Sequence, residues 1–305
     1  MTIRGQNNLS IAILGVGGIG GLLACLFWKS GFSVLCIVRP NTIKDLNKSG
    51  LRLRSQVFGD FIAGPRFVSR LDFKPDILCI TTKAGDLSRA LDSIPRHLIE
   101  HSIVVPLLNG FEHIDLLRKQ LGRRVVVGMI GKTEAKKDLA NEIIHVSSGA
   151  PEVEIASDDV SHQALQKVCD MLMAIGINTK ILDNEKDVIW RKLVRLNAVA
   201  CVTAATNQPL GFAKKNKEWR KKLEDCAYEG VMVAKKEGVH LDFDETIKLI
   251  YSFADNLTTS LQRDIASGLD SELEAIPGAI LRCAKKHGIA CPTIEGIYKS
   301  LKYVR

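Results

Sequence analysis

Short apolar runs bounded by glycine alternate with stretches of helical spacing through the first half of the chain. Residues 10–14 (Ser-Ile-Ala-Ile-Leu) have the form of a strand buried on both faces of a parallel sheet. Residues 20–29 have helix composition and stop at Gly31, and residues 33–38 read as a second strand, so 10–38 form one βαβ unit. Further strands are predicted near 51–53, 66–68, 76–80, 103–107, 125–129, 143–146 and 153–156, with helices over 87–94, 113–121 and 162–175. This alternation predicts a Rossmann-type doubly wound α/β sheet.

Beyond Asp183 the pattern changes. Residues 185–205, 218–237, 244–264 and 271–287 each carry 3.6-type apolar spacing, two of them ending at Gly238 and Gly288. We therefore expect two domains: a Rossmann-type nucleotide-binding domain over 1–183 and an all-helical substrate or catalytic domain over 184–305. A length of 305 residues agrees with two domains.

Residues 11–28 contain no charge and invite a membrane-helix reading. Glycines at 15, 17, 18, 20 and 21 would badly weaken such a helix, so the run is expected to be a binding loop. With no targeting segment left, a cytoplasmic protein is expected, without membrane association.

The formal charge of +8 raises nucleic-acid binding as a hypothesis. The excess is spread evenly: 22 Lys/Arg against 18 Asp/Glu up to Asp183, and 20 against 16 after it. The densest basic patch (Lys214, Lys215, Lys217, Arg220, Lys221, Lys222) has one aromatic, Trp219, and reads as a solvated helix start. The surplus therefore points to a small anionic ligand and not to nucleic acid. Eight cysteines without a Cys-x-x-Cys pair read as small core residues in a reducing compartment, and seven histidines show no convincing ligand spacing, so no metal is expected.

Gly15, Val16, Gly17, Gly18, Ile19 and Gly20 spell Gly-x-Gly-x-x-Gly between a strand and a helix, the context that a dinucleotide-binding fingerprint requires. Arg39 ends the second strand, where NAD-binding chains place an acidic residue. A guidanium fork there suits the 2′-phosphate of NADP(H). Lys83 and Asn109-Gly110 each follow a strand at the sheet's carboxyl edge, where they could meet coenzyme or substrate or serve as turns.

Taken together these pieces resemble the ketopantoate reductase (2-dehydropantoate 2-reductase) family over essentially the whole chain. The resemblance is carried by the 15–20 loop, Arg39, Lys83, Asn109-Gly110, Trp190-Arg191-Lys192-Leu193, the stretch from Ser260 to Glu272, and Lys286-His287-Gly288 followed by Pro292. It implies NADPH-dependent reduction of 2-dehydropantoate, or of a closely related 2-oxo acid, in pantothenate biosynthesis on the way to coenzyme A. By the same resemblance Lys192 matches the catalytic lysine. Glu272 matches the acidic residue beside nicotinamide ribose and substrate, Asn109 the asparagine touching both, and Ser260 the serine on the substrate carboxylate.

Two positions depart from the family pattern. The asparagines expected four and eight residues after the lysine are Leu196 and Ala200, and Asn197 sits about 100° further round the helix. That change suits a less polar 2-oxo acid, or an NADP(H)-binding regulatory protein without turnover. A homodimer is left open.

Overall fold

The computed structural model describes residues 9–138 and 140–303. Two compact units emerge: residues 1–108 with 113–188, and residues 109–112 with 189–305.

In the first unit, β1 (Ser10–Leu14), β2 (Ser33–Ile37), β5 (Arg66–Val68), β6 (Ile77–Ile80) and β7 (Ile103–Pro106) form a parallel sheet in the order β5-β2-β1-β6-β7. Alternate side chains leave opposite faces. Ile11 and Ile13 join one core with Cys36 and Cys79, while Ala12 and Leu14 join another with Leu35, Ile37 and Ile80. Both faces are thus closed, as the uninterrupted apolar runs require. Around the sheet lie α1 (Gly18–Lys29), α2 (Ile43–Ser49), α3 (Leu87–Leu91), α4 (Arg96–Ile99), α5 (His113–Leu121) and α6 (His162–Ala174). The sequence pattern does not reveal two side sheets: β4 (Phe61–Ala63), β3 (Leu51–Ser55), β10 (Glu142–His145) and β9 (Ala135–Lys137) form one, and β12 (Asn178–Ile181), β11 (Glu152–Ala156) and β8 (Val127–Gly131) the other.

The charge-free run 11–28 becomes β1, a glycine turn and α1. Among the described residues no helix is long and apolar enough to cross a membrane. All eight cysteines are free and buried.

The second unit is built from α7 (Glu185–Thr206), whose last eighteen residues belong to it, then α8 (Leu210–Lys215), α9 (Lys217–Lys236), α10 (Phe243–Ser252), α11 (Ser260–Ala266), α12 (Ala279–Lys286) and α13 (Pro292–Lys302). Its core gathers Trp190, Val194, Val199, Leu223, Val233, Ile250, Ile280 and Ile294.

Two helical expectations are corrected here. The helix expected over 244–264 is broken, because Phe253 is extended and the next segment pairs with α8: Leu210 N–H donates to Leu257 O (2.9 Å) and Gly211 N–H to Asp255 O (2.8 Å). Lys214 holds the break, its ammonium donating to Tyr251 O (3.0 Å), Phe253 O (2.5 Å) and Asp255 Oδ1 (3.0 Å). That side chain, expected in a solvated patch, is only 10% exposed. The helix expected over 271–287 begins as a π-turn, Glu274–Gly278, around Pro277. Proline has no N–H to donate, and Gly278 N–H reaches back five residues to Leu273 O (3.0 Å).

Candidate active site

In the first unit the loop after β1 is shaped by close backbone approach. Gly15 has φ +94°, and a Cβ there would come within 2.8 Å of Thr82. Thr81 Oγ1 donates to Gly15 O (2.6 Å), and a Cβ on Gly20 would overlap that carbonyl oxygen, so α1 can pack on the loop only with glycine at 20. Gly17 differs: nothing lies within 4 Å of a Cβ placed there. It is the exposed N-cap of α1, with no side-chain cap and no acidic residue in the first turn. An anion approaching this open point meets backbone N–H donors and the positive end of a twelve-residue helix. Val16 is buried and Ile19 packs partly against the core, which fixes the loop from beneath.

Arg39 and Lys83 are both exposed, each at the start of a short 3₁₀ turn, 40–42 and 84–86. The second turn ends at Asp86, which pairs with Arg39 (3.4 Å) and with Arg89. Neither Asp86 nor Arg89 is singled out by sequence motif, and the pairing spans 47 residues.

In the second unit three residues distant in sequence form one hydrogen-bonded chain. Lys192 Nζ donates to Asn109 Oδ1 (2.9 Å), and Asn109 Nδ2 donates to Glu272 Oε2 (2.7 Å). Local backbone explains how they meet. Gly110 has φ +82°, and a Cβ on it would overlap the carbonyl oxygen of Ala275, so the Asn109-Gly110 corner lies directly on the π-turn that follows Glu272. Phe111 stacks on Trp190 with ring centroids 5.6 Å apart, tying the same corner to α7 two residues before Lys192. Burial lowers the Lys192 pKa to about 8; the Glu272 carboxylate opposes this and Arg195 adds to it.

Ser260 is exposed at the first position of α11, after the N-cap Thr259. Ala200 is fully buried and Leu196 packs partly against the helical core. Asn197 faces inward at 0% exposure, accepting from Cys201 Sγ (3.5 Å), and its amide nitrogen has no partner among the described residues.

The family models described as "Ketopantoate reductase PanE/ApbA" and "Ketopantoate reductase PanE/ApbA C terminal" match residues 11–157 and 184–305. An uncharacterized oxidoreductase, YkpB, of Bacillus subtilis is 24% identical over 302 residues, 96% of this chain and 98% of the relative. The 2-dehydropantoate 2-reductase of Salmonella typhimurium is 25% identical over 304 residues, 96% and 94% of the two chains. The same fold is found in D-mandelate dehydrogenase, solved with NADH and anilino(oxo)acetate (TM-score 0.89, 24% identity, 97% and 98% covered). It is also found in a PanE/ApbA family ketopantoate reductase from Ralstonia eutropha (TM-score 0.86, 24% identity, 97% and 98% covered). With both family regions matched in order along one chain, this protein belongs to the ketopantoate reductase family of oxidoreductases.

Proposed function

We propose that the protein is an NADPH-dependent reductase of a small 2-oxo acid, 2-dehydropantoate or a close relative, with Lys192 and Glu272 as its catalytic residues. The observation that carries this is the Lys192–Asn109–Glu272 chain. An ammonium whose pKa is lowered to about 8 is charged at neutral pH and can release its proton there.

The loop from Gly15 to Gly20, with its open point at Gly17, fits a dinucleotide's pyrophosphate. Arg39 and Lys83 would serve the adenosine phosphates, and Asn109 and Glu272 the nicotinamide ribose. When bound, the reduced coenzyme supplies the hydride. Lys192 stabilises the oxyanion developing on the substrate's 2-oxo oxygen and then protonates it. Asn109 aims the ammonium, and Glu272, through Asn109, holds that amide's orientation and keeps the lysine cationic. Ser260 would receive the substrate carboxylate. In this reading residues 1–183 hold the coenzyme, and the helical residues 184–305, with Asn109, hold the acid.

Leu196 and Ala200 favour a second form of the same reading, a 2-oxo acid with an apolar substituent. With the fully buried Ala200 and the partly buried Leu196 in place of two amide side chains, neither position offers a substrate hydroxyl a hydrogen-bond partner. The D-mandelate dehydrogenase structure holds anilino(oxo)acetate, an aryl-bearing oxo acid.

The deciding experiment is NADPH oxidation with a panel running from 2-dehydropantoate to branched-alkyl and aryl 2-oxo acids. Turnover of at least one acid, falling by about 10²–10⁴ in Lys192→Ala, is expected. Tight NADPH binding with no turnover of any acid would instead identify a regulatory protein. Arg39→Ala should raise the KM for NADPH much more than that for NADH.

A further inference from the structure

The sheet order β5-β2-β1-β6-β7 places β1 between β2 and β6, all parallel, so the loops that follow these three strands open side by side at one edge. The middle loop is the glycine loop. Its neighbours carry Arg39, after β2, and Asp86, after β6, and the 3.4 Å ion pair between them crosses the mouth of the crevice where a doubly wound sheet takes its nucleotide. Asp86 also pairs with Arg89, three residues on, so one carboxylate gathers two guanidinium groups. The two arginine side chains are 73% and 75% exposed. Ion pairs so open to water are weak and exchange readily for a better partner.

Two opposed effects follow from this geometry. Arg39 and Arg89 together offer more forked donors than Arg39 alone, which favours a 2′-phosphate. The carboxylate between them already occupies those donors and repels a dianion. It also brings to this crevice, from the far side, the acidic group that the end of β2 lacks and that ribose hydroxyls use as an acceptor.

Building on the NADPH reading above, we propose that Asp86 is a coenzyme-selecting residue. It holds Arg39 and Arg89 at the adenosine end of the crevice, weakens the hold on the 2′-phosphate of NADP(H), and accepts from the ribose hydroxyls of NAD(H), so that the chain uses both coenzymes. Arg89 is the second cation of the 2′-phosphate site.

The test compares wild type, Asp86→Asn and Arg89→Ala by calorimetric titration with 2′,5′-ADP and with 5′-AMP. Steady-state NADPH and NADH kinetics follow with an acid that is turned over. Asp86→Asn should tighten 2′,5′-ADP about five- to tenfold without tightening 5′-AMP, the size expected of one exposed charge a few ångström from a dianion. The NADPH-to-NADH ratio of kcat/KM should rise in step, and the gain should shrink at 0.5 M KCl. Arg89→Ala should weaken 2′,5′-ADP severalfold. If wild type binds 2′,5′-ADP and the ratio of the two nucleotide affinities stays within about twofold in Asp86→Asn, the pair is only a surface ion pair and the role of Asp86 is overturned. If wild type binds neither nucleotide, the coenzyme reading falls and this inference with it.

Discussion

Lys192 is half-buried on α7, and the loss of hydration on its ammonium moves its pKa down to about 8. As a proton donor it is competent while protonated, so kcat/KM for reduction should hold below pH 8 and fall as pH rises through that value. Glu272 raises the lysine's pKa, so Glu272→Gln should shift the falling limb to lower pH as well as slow the reaction. A limb that stays in place in Glu272→Gln would exclude Lys192 as the group that titrates. The glycines make a second contrast. Gly17→Ala meets nothing within 4 Å, so it should leave the melting temperature unchanged and weaken NADPH binding about tenfold or more; Gly20→Ala drives a methyl into the Gly15 carbonyl and should cost about 1–3 kcal/mol of stability. The fingerprint's place between a strand and a helix was legible in the sequence because its cause is local. The Lys192–Asn109–Glu272 chain was not: its links span 83 and 163 residues, and only family resemblance singles out charges that otherwise look like solvated helix faces.

At the scale of elements, helix ends decide what periodicity cannot. α13 opens with Pro292 at its first position and has no side-chain cap from Cys291. Its next two N–H groups, on Thr293 and Ile294, are met by the buried carboxylate of Glu229 on α9, at 2.8 and 2.9 Å. Glu229→Ala leaves the buried Ile294 N–H and the half-buried Thr293 N–H without this acceptor and should cost about 2–4 kcal/mol in denaturant unfolding. Glu229→Gln keeps one acceptor oxygen and should cost less; equal losses would mean that packing, not capping, sets the effect. The same distance in sequence hid the break between α10 and α11, since apolar spacing runs through residues 253–259 while Lys214, some forty residues earlier, holds them out of a helix. It also hid a cluster at two helix ends. Glu237, at the C-cap of α9, accepts from the Cys283 thiol (3.4 Å) and meets His287 Nε2 (2.5 Å) at the C-cap of α12; Cys283 and His287 stand four apart on one helix face, but the carboxylate they share lies 46 and 50 residues away.

Over the whole molecule, a charge of +8 has two physically distinct uses, and heat separates them. A polyanion held by diffuse charge releases counterions and loses affinity steeply with salt. A dinucleotide held by the helix end at Gly17 and by shaped backbone depends on salt mainly through Arg39, Lys83 and their neighbours. Bound at a hundred times its dissociation constant, NADPH should stabilise the native state by about 2.7 kcal/mol. For the unit that carries the glycine loop, with close to two hundred residues, this corresponds to a rise in unfolding temperature of roughly 5–10 °C. The rise should survive 0.5 M salt when NADPH is raised to restore saturation, and should fall to half or less in Gly17→Ala at the wild-type ligand concentration, where tenfold weaker binding leaves about 1.4 kcal/mol. A rise in temperature produced equally well by DNA, and abolished in salt however much NADPH is present, would return the surplus charge to a polyanion. The even division of that surplus, 22 against 18 and 20 against 16, argues for the first outcome, and the densest basic stretch, residues 214–222, is largely matched by neighbouring carboxylates: Lys214 and Lys215 pair with Asp255, Lys221 with Asp225 and Lys222 with Glu218.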